Sequence, residues 1–139
     1  MTPSTPIAKS HALLLFAHGS SDPGWAAPFE KLQSAIRARD PRQIVELAYL
    51  ERMNPSFDEA VDALKANHIS SITVAPIFLA LGGHMRKDLP MLIDAAKVRT
   101  GIDFRVLPAL GEVDSLIDSI AIWVQHATEQ ADQTPLNAN

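Results

Sequence analysis

The chain has 139 residues, of which 47% are hydrophobic; 12 Lys and Arg against 16 Asp and Glu give a formal net charge of −4. This length fits one domain of roughly 100–200 residues with a buried core, which excludes a disordered, collagenous or coiled-coil protein. A polyphosphate binds positive charge, whereas this chain has a mild excess of negative charge, so we expect no nucleic-acid partner.

The chain contains no cysteine, so any metal must be held by His, Asp, Glu or backbone oxygens. Its first apolar run, Ala12 to Ala17, is too short for a membrane span of about 20 residues. The residues after it read as a turn and not as a signal-peptide cleavage site. We therefore expect a soluble cytoplasmic protein with no membrane partner.

Polar sequence at both ends predicts disordered tails at residues 1–10 and 129–139, on either side of a single domain at 11–128. Within this domain, short apolar runs alternate with segments of helical period, which is typical of an α/β fold: a four-stranded, mostly parallel sheet flanked by helices. Strands are predicted at Ala12–Ala17 and Ile44–Leu50. A helix between them follows the loop at 23–28 and ends near Asp40-Pro41, and a second helix begins with a capping box of Ser56 and Glu59.

The second half of the domain predicts a strand at Ile72–Leu79, where Pro76 calls for an interruption such as a bulge. A helix follows Gly82-Gly83, with Pro90 tolerable only if the helix proper begins about there. A short strand at Phe104–Leu107 comes next. The last helix keeps one apolar face over three turns, through Val113, Leu116, Ile117, Ile120, Ala121 and Val124.

Ligands of a parallel α/β sheet bind beyond the carboxyl ends of its strands. There the first strand runs into His18, the second into Glu51-Arg52, and the third toward His84. In the common strand order 2-1-3-4 these three strands are neighbours about 4.8 Å apart, so His18, Glu51 and His84 should converge. Two imidazoles and one carboxylate suit a divalent first-row metal and leave coordination positions open for exchange.

Each residue also has a structural explanation. A lone His at a strand end is usually a hydrogen-bonded turn residue, Gly82-Gly83 could provide positive φ before a helix capped by His84, and Glu51 could be a solvated carboxylate. Only the convergence favours a site. Three other histidines lie away from this edge and are interpreted as structural or surface residues: His11, His68 and His126.

Further charged residues follow the same strand ends. Asp22 and Asp88 are candidates for fixing an imidazole tautomer, although Asp88 also fits a helix N-terminal carboxylate, and Glu112 is a weaker candidate ligand. Three basic side chains could capture carboxylates of a polyanionic ligand: Arg52, Arg86 and Lys87. The sequence lacks a Gly-x-Gly-x-x-Gly or Gly-Lys-Ser/Thr loop and a Gly-x-Ser-x-Gly elbow, which disfavours nucleotide-dependent chemistry and an α/β-hydrolase.

Five runs of sequence occur in a characteristic order, at 15–20, 48–51, 76–79, 82–90 and 108–111. Together they resemble the short class II tetrapyrrole chelatases, the sirohydrochlorin cobalto- and ferrochelatases of the CbiX and SirB type, over about residues 12–124. It implies a chelatase-like fold, ATP-independent insertion of Co²⁺ or Fe²⁺ into sirohydrochlorin for cobalamin or sirohaem synthesis, and no tightly bound cofactor. It also implies a homodimer whose cleft joins two copies.

By this resemblance His18 and His84 are the metal-binding histidines, and Glu51 is the carboxylate beside them. Substrate contacts are expected from Ser20, Arg52, Gly83, Arg86 and Lys87. Insertion removes two pyrrole protons, so a base beside an exchange-labile metal is required. Alternatives are another tetrapyrrole or Ni²⁺, a metal-binding chaperone or sensor without tetrapyrrole turnover, and a flavodoxin-like interaction domain that binds neither.

Overall fold

The computed structural model describes residues 10–131, which form a four-stranded parallel sheet in the order β2-β1-β3-β4. The strands are β1 (His11–Ala17), β2 (Ile44–Tyr49), β3 (Ser71–Pro76) and β4 (Asp103–Val106). The predicted α/β class and strand order are thereby confirmed. Most of the two predicted tails, at 1–9 and 132–139, lies outside the described residues.

Four helices connect and follow the strands: α1 (Ala27–Arg39), α2 (Phe57–Ala66), α3 (Gly83–Thr100) and α4 (Asp114–Ala131). Short 3₁₀ turns at Pro23–Ala26 and Leu110–Glu112 precede α1 and α4. Helix α4 continues through residues 129–131, which the sequence had assigned to the tail. No helix within residues 10–131 combines the length and the apolarity needed to cross a bilayer.

Alternating strand residues face two separate cores, as strand geometry requires. Leu14, Phe16 and Val74 pack against α2 and α3, whereas Leu15, Val45 and Leu47 face the side of the sheet on which α1 lies. Both strand faces are therefore apolar near β1, which explains the continuous hydrophobic run in its sequence.

Helix α2 begins where the sequence predicted, because its first turn satisfies its own donors. The Ser56 hydroxyl accepts from the Glu59 amide at 3.2 Å, and a Glu59 carboxylate oxygen accepts from the Ser56 amide at 3.2 Å. The predicted apolar stripe of this helix is buried: Phe57, Ala60, Val61 and Leu64.

Two predicted boundaries around proline are wrong. Strand β3 ends at Pro76 instead of continuing to Leu79. The Ile77 amide donates to the Phe16 carbonyl in β1, and the Leu107 amide donates to the Val74 carbonyl. Successive amides of a strand point to opposite neighbours, so Pro76, which has no N–H, lacks its donor on the side of β4, and β4 has already ended there. Helix α3 begins at Gly83 and runs through Pro90.

The sequence expectation placed the start of α3 near Pro90 because an interior proline removes one hydrogen bond and crowds the preceding turn. Burial overrides that cost. Met85 and Leu89 before the proline and Ile93 and Ala96 after it form one continuous buried stripe. A helix that began only at Pro90 would leave Met85 and Leu89 outside it.

Candidate active site

The loops after β1 and β2 are joined by backbone hydrogen bonds that extend the sheet beyond its strands. The Leu50 amide donates to the Ala17 carbonyl at 2.9 Å, and the Glu51 amide donates to the His18 carbonyl at 3.1 Å. Because the two loops remain in register, the side chains of His18 and Glu51 emerge side by side at the carboxyl edge.

Gly19 allows this close approach. Its φ is +93°, in the left-handed region that favours glycine, and a Cβ built at this position would overlap the carbonyl oxygen of Glu51 and lie 3.0 Å from its carbonyl carbon. The sequence predicted only a turn at this glycine. The structure shows that it sets the spacing between the two functional loops.

His18 and Glu51 form the centre of the site. Nε2 of His18 lies 3.2 Å from Oε1 of Glu51, and the two side chains are 54% and 50% exposed. Exposed ion pairs contribute little to folding stability, so this pair is available for chemistry at low structural cost. The Arg52 Nε lies 3.8 Å from the same carboxylate oxygen, and the Phe78 ring lies nearly perpendicular to the His18 imidazole at a centroid distance of 6.2 Å.

His84 stands at the same end of the sheet but is not assembled with the other two. It is the second residue of α3 and exposed, while the following Met85 is buried. Across residues 10–131, no three His, Asp or Glu side chains lie close enough together to hold a metal ion. Residues 77–82 separate the end of β3 from the start of α3, so strand adjacency alone does not bring His84 to the His18–Glu51 pair.

The glycines before His84 also differ from the sequence expectation. Gly82 is the N-cap of α3 with φ −70°, and Gly83 is its first residue, so neither has the positive φ considered above. No side chain makes a capping hydrogen bond at this end. His84 is therefore not the cap of α3.

Other predicted residues have local roles. The Asp22 carboxylate accepts from the Gly24 amide and caps the first 3₁₀ turn, and the Ser20 hydroxyl accepts from the Asp22 amide at 3.1 Å. Asp88 lies in the second turn of α3, not at its first. Glu112 is exposed in the second 3₁₀ turn. His11 lies at the opposite edge and hydrogen-bonds Ser71 and Thr73, in agreement with its predicted structural role.

An apolar groove, which the sequence did not predict, lies beside the first turns of α3. It has a volume of about 410 Å³ and lies between the first turns of α3 and the edge strand β4; its lining is Leu81, Met85, Arg86, Leu89, Pro90, Ile93, Asp94 and Val106. Met85, Leu89 and Ile93 are buried residues that form part of this lining, and only the tertiary structure shows that a groove lies against them.

Tyr49 is the buried last residue of β2, directly before the loop that contains Glu51. It is 5% exposed, and its ring packs edge-on to Trp25 with centroids 6.4 Å apart. Burial, assisted by the negative charge of Glu30, raises the pKa of the Tyr49 phenol above its usual value of 10.0. The residue that leads into Leu50 and Glu51 is therefore neutral at physiological pH.

These features define an α/β protein with an open, solvent-facing His–carboxylate pair at the carboxyl edge of a parallel sheet. The family model described as CbiX matches residues 12–127, and the chain belongs to the CbiX family.

Curated relatives of the chain include proteins of similar and of greater length. A sirohydrochlorin cobaltochelatase from Sulfurisphaera tokodaii is 30% identical over 110 residues, covering 79% of this chain and 87% of that protein. The chloroplastic sirohydrochlorin ferrochelatase of Arabidopsis thaliana is 28% identical over 121 residues, covering 86% of this chain but 54% of that protein. Against the first relatives found, the chain spans only 54% to 57% of their length.

Solved structures show the same fold. The crystal structure of a CbiX protein from Marinobacter aquaeolei VT8 is 34% identical, with a TM-score of 0.77 over 86% of this chain and 98% of that chain. The sirohydrochlorin chelatase SirB from Bacillus subtilis subspecies spizizenii, in complex with cobalt, is 22% identical, with a TM-score of 0.65 over 73% of this chain and 44% of that chain. At that lower identity the likeness concerns the fold alone.

Proposed function

We propose that this protein is an ATP-independent chelatase that inserts Co²⁺ or Fe²⁺ into sirohydrochlorin and works as a homodimer. The observation that carries the proposal is the half-exposed His18–Glu51 pair, 3.2 Å apart, at the ligand edge of a chain in the CbiX family. Relatives named for this reaction with either metal support the substrate class. The metal is a substrate of the reaction, not a resident cofactor.

The reaction exchanges two protons for one divalent cation, since both pyrrole N–H bonds break as four metal–nitrogen bonds form. The bases must therefore lie beside the metal and release protons to water. His18 and Glu51 meet both requirements, because their polar atoms adjoin each other and half of each side chain faces solvent. We assign His18 to metal binding and proton acceptance, and Glu51 to metal delivery or deprotonation.

His84 completes the ligand set in this proposal. Its exposed position at the start of α3, after residues 77–82, allows the imidazole to approach a metal already held by His18 and Glu51. Because His84 would bind the metal only after His18 and Glu51, the site is not rigidly preformed. Such a site favours release of the ion to the tetrapyrrole, whereas a tightly closed set of four ligands would retain it.

The substrate itself is a flat macrocycle with peripheral carboxylates. The groove beside the first turns of α3 has a mostly apolar lining that includes Arg86, and its volume is within the range of small-molecule sites. Arg52 and Lys87 are exposed near the same edge and supply further positive charge for carboxylates. Ser20 and Gly83 are assigned to the same contact surface, where the hydroxyl and the exposed helix start can meet the substrate.

The test is anaerobic insertion of Co²⁺ and Fe²⁺ into sirohydrochlorin, followed in the visible spectrum against the uncatalysed rate. The parent protein should accelerate insertion, and the double variant His18→Ala/His84→Ala should lose that acceleration. The matched control is His68→Asn, which changes an exposed histidine remote from the edge; Asn tolerates its φ of +65°. Parent rates in the double variant would refute the assignment, and no acceleration by the parent would favour a metal-binding protein without turnover.

A further inference from the structure

The run at 108–111, after β4, belongs to the sequence resemblance, but the proposed reaction gives it no role. Its backbone contacts the connection from β3 to α3, residues 77–82, which leads to His84. The Gly111 amide donates to the Leu79 carbonyl at 2.8 Å. The segment after β4 therefore holds the middle of the connection that carries the third proposed ligand.

Gly111 can make this contact only because it has no side chain. A Cβ built on Gly111 would overlap the carbonyl oxygen of Leu79 and lie 3.3 Å from its carbonyl carbon. Both atoms belong to the backbone, so no change of rotamer relieves the overlap. The φ of Gly111 is not in the left-handed region, so close approach alone requires glycine here. Gly19 makes a corresponding approach to Glu51 between the loops after β1 and β2.

Leu110 fastens the start of the same connection. Its amide donates to the Phe78 carbonyl at 2.9 Å. The Phe78 ring in turn packs against the His18 imidazole and against Phe16 of β1, with centroids 6.2 and 6.1 Å apart. The base of the connection is therefore held on two sides, through its ring by β1 and through its backbone by the segment after β4.

Residues 80–82 alone lie between the anchor at Leu79 and the start of α3 at Gly83. Three extended residues span at most about 10 Å. The first turn of α3 is itself fixed in the core by Met85, which is buried. With so short a connection, the position of His84 depends directly on where Leu79 is held.

We propose that Gly111 is a positioning residue for His84. By holding Leu79 at backbone contact distance, Gly111 fixes the base of the short connection to α3. The His84 imidazole can then reach a metal bound by the His18–Glu51 pair. This inference rests on the proposed function, because it takes His84 to be a metal ligand. Gly111 acts through that ligand and contributes no ligand atom of its own.

The test measures Co²⁺ binding without tetrapyrrole, by isothermal titration calorimetry on protein that circular dichroism shows to be folded. Replacing groups that orient metal ligands typically weakens metal binding about 10- to 100-fold, so Gly111→Ala should raise the Kd for Co²⁺ at least about 10-fold. The matched control is Gly82→Ala. Gly82 is closer to His84 in the sequence, but its Cβ would meet no atom within 4 Å and its φ is −70°. This control should bind Co²⁺ as the parent does.

A double-mutant cycle with His84→Ala separates positioning from a general loss of structure. If Gly111 acts through His84, Gly111→Ala should weaken Co²⁺ binding in the parent but change it by less than about twofold in the His84→Ala background. Losses that multiply, or a parent Kd in Gly111→Ala, would overturn the proposal and leave the proposed function standing. A parent Kd in His84→Ala would refute the assignment of His84, and the inference with it.

Leu110→Pro decides the matter if Gly111→Ala does not fold. Proline removes the amide that Leu110 donates to Phe78. It fits the first position of the 3₁₀ turn, because the preceding Ala109 has a φ of −61° and a ψ of 156°. We expect a Kd for Co²⁺ about threefold to tenfold above that of the parent, the usual effect of one hydrogen bond, with no further loss in the His84→Ala background. A parent Kd in Leu110→Pro would then overturn the proposal.

Discussion

Substitution of Gly19 tests whether one glycine sets the spacing of the site. In Gly19→Ala, a φ of +93° is imposed on a residue with a Cβ, which costs about 1–2 kcal/mol. Overlap of that Cβ with the Glu51 carbonyl oxygen adds about 1–3 kcal/mol, whereas the lower entropy of the unfolded Ala chain offsets under about 1 kcal/mol of the loss. The expected loss in the free energy of unfolding is about 3 kcal/mol, or roughly 10 °C in Tm.

The overlap in Gly19→Ala should also push the loops after β1 and β2 apart. This should separate the His18–Glu51 pair, because the Glu51 amide donates to the His18 carbonyl between these loops. We expect the insertion rate to fall by about 100-fold, as displacements near 1 Å do in other active sites. Denaturant unfolding and the spectrophotometric insertion assay measure the two effects. Gly24→Ala is the control, since its Cβ would make only an ordinary 3.6 Å contact with Asp22. Parent-like stability and rate in Gly19→Ala would refute the reasoning.

Three further predictions concern stability. The pKa of Tyr49 is raised in the folded state, so its titration leaves the free energy of unfolding constant below the unfolded pKa of about 10 and lowers that free energy as pH rises above it. Tyr49→Phe should flatten this alkaline decline in denaturant unfolding. An unchanged dependence of stability on pH would contradict the assignment of the decline to Tyr49. Ser56→Ala should cost about 1 kcal/mol of unfolding free energy by removing the α2 cap, and a neutral result would mean that the capping box is not maintained in solution. Pro90→Ala should stabilise the protein by about 1–2 kcal/mol, because it restores a helical N–H. A lower Tm in thermal unfolding would contradict this prediction.

Much of the fold follows from local rules that act over a few residues. The capping box at Ser56 and Glu59 fixed the start of α2, and the apolar run of β1 was continuous because both sheet faces are covered there. The order β2-β1-β3-β4 is the common doubly wound order that was assumed for alternating strands and helices. These features depend on spacing and propensity, which a sequence displays directly.

The remaining features depend on tertiary competition. The length of α3 was underestimated because the burial of Met85 and Leu89 outweighs the cost of Pro90, and a sequence does not show that balance. The amphipathic pattern of α4 was recognised, but a pattern does not identify the surface that covers it. At the site, neighbouring strands brought His18 to Glu51, whereas the length of the connection through residues 77–82 left His84 apart.

The central claim is that one divalent ion binds at the sheet edge between His18 and Glu51 and recruits His84. The most direct measurement is a crystal structure of the protein grown with Co²⁺, with the ion located by its anomalous scattering. The account predicts one ion with the His18 and His84 imidazole nitrogens and a Glu51 oxygen at about 2.0–2.2 Å, and an open position facing solvent. Cobalt bound instead at His11, His68 or His126, with none at His18, would contradict it.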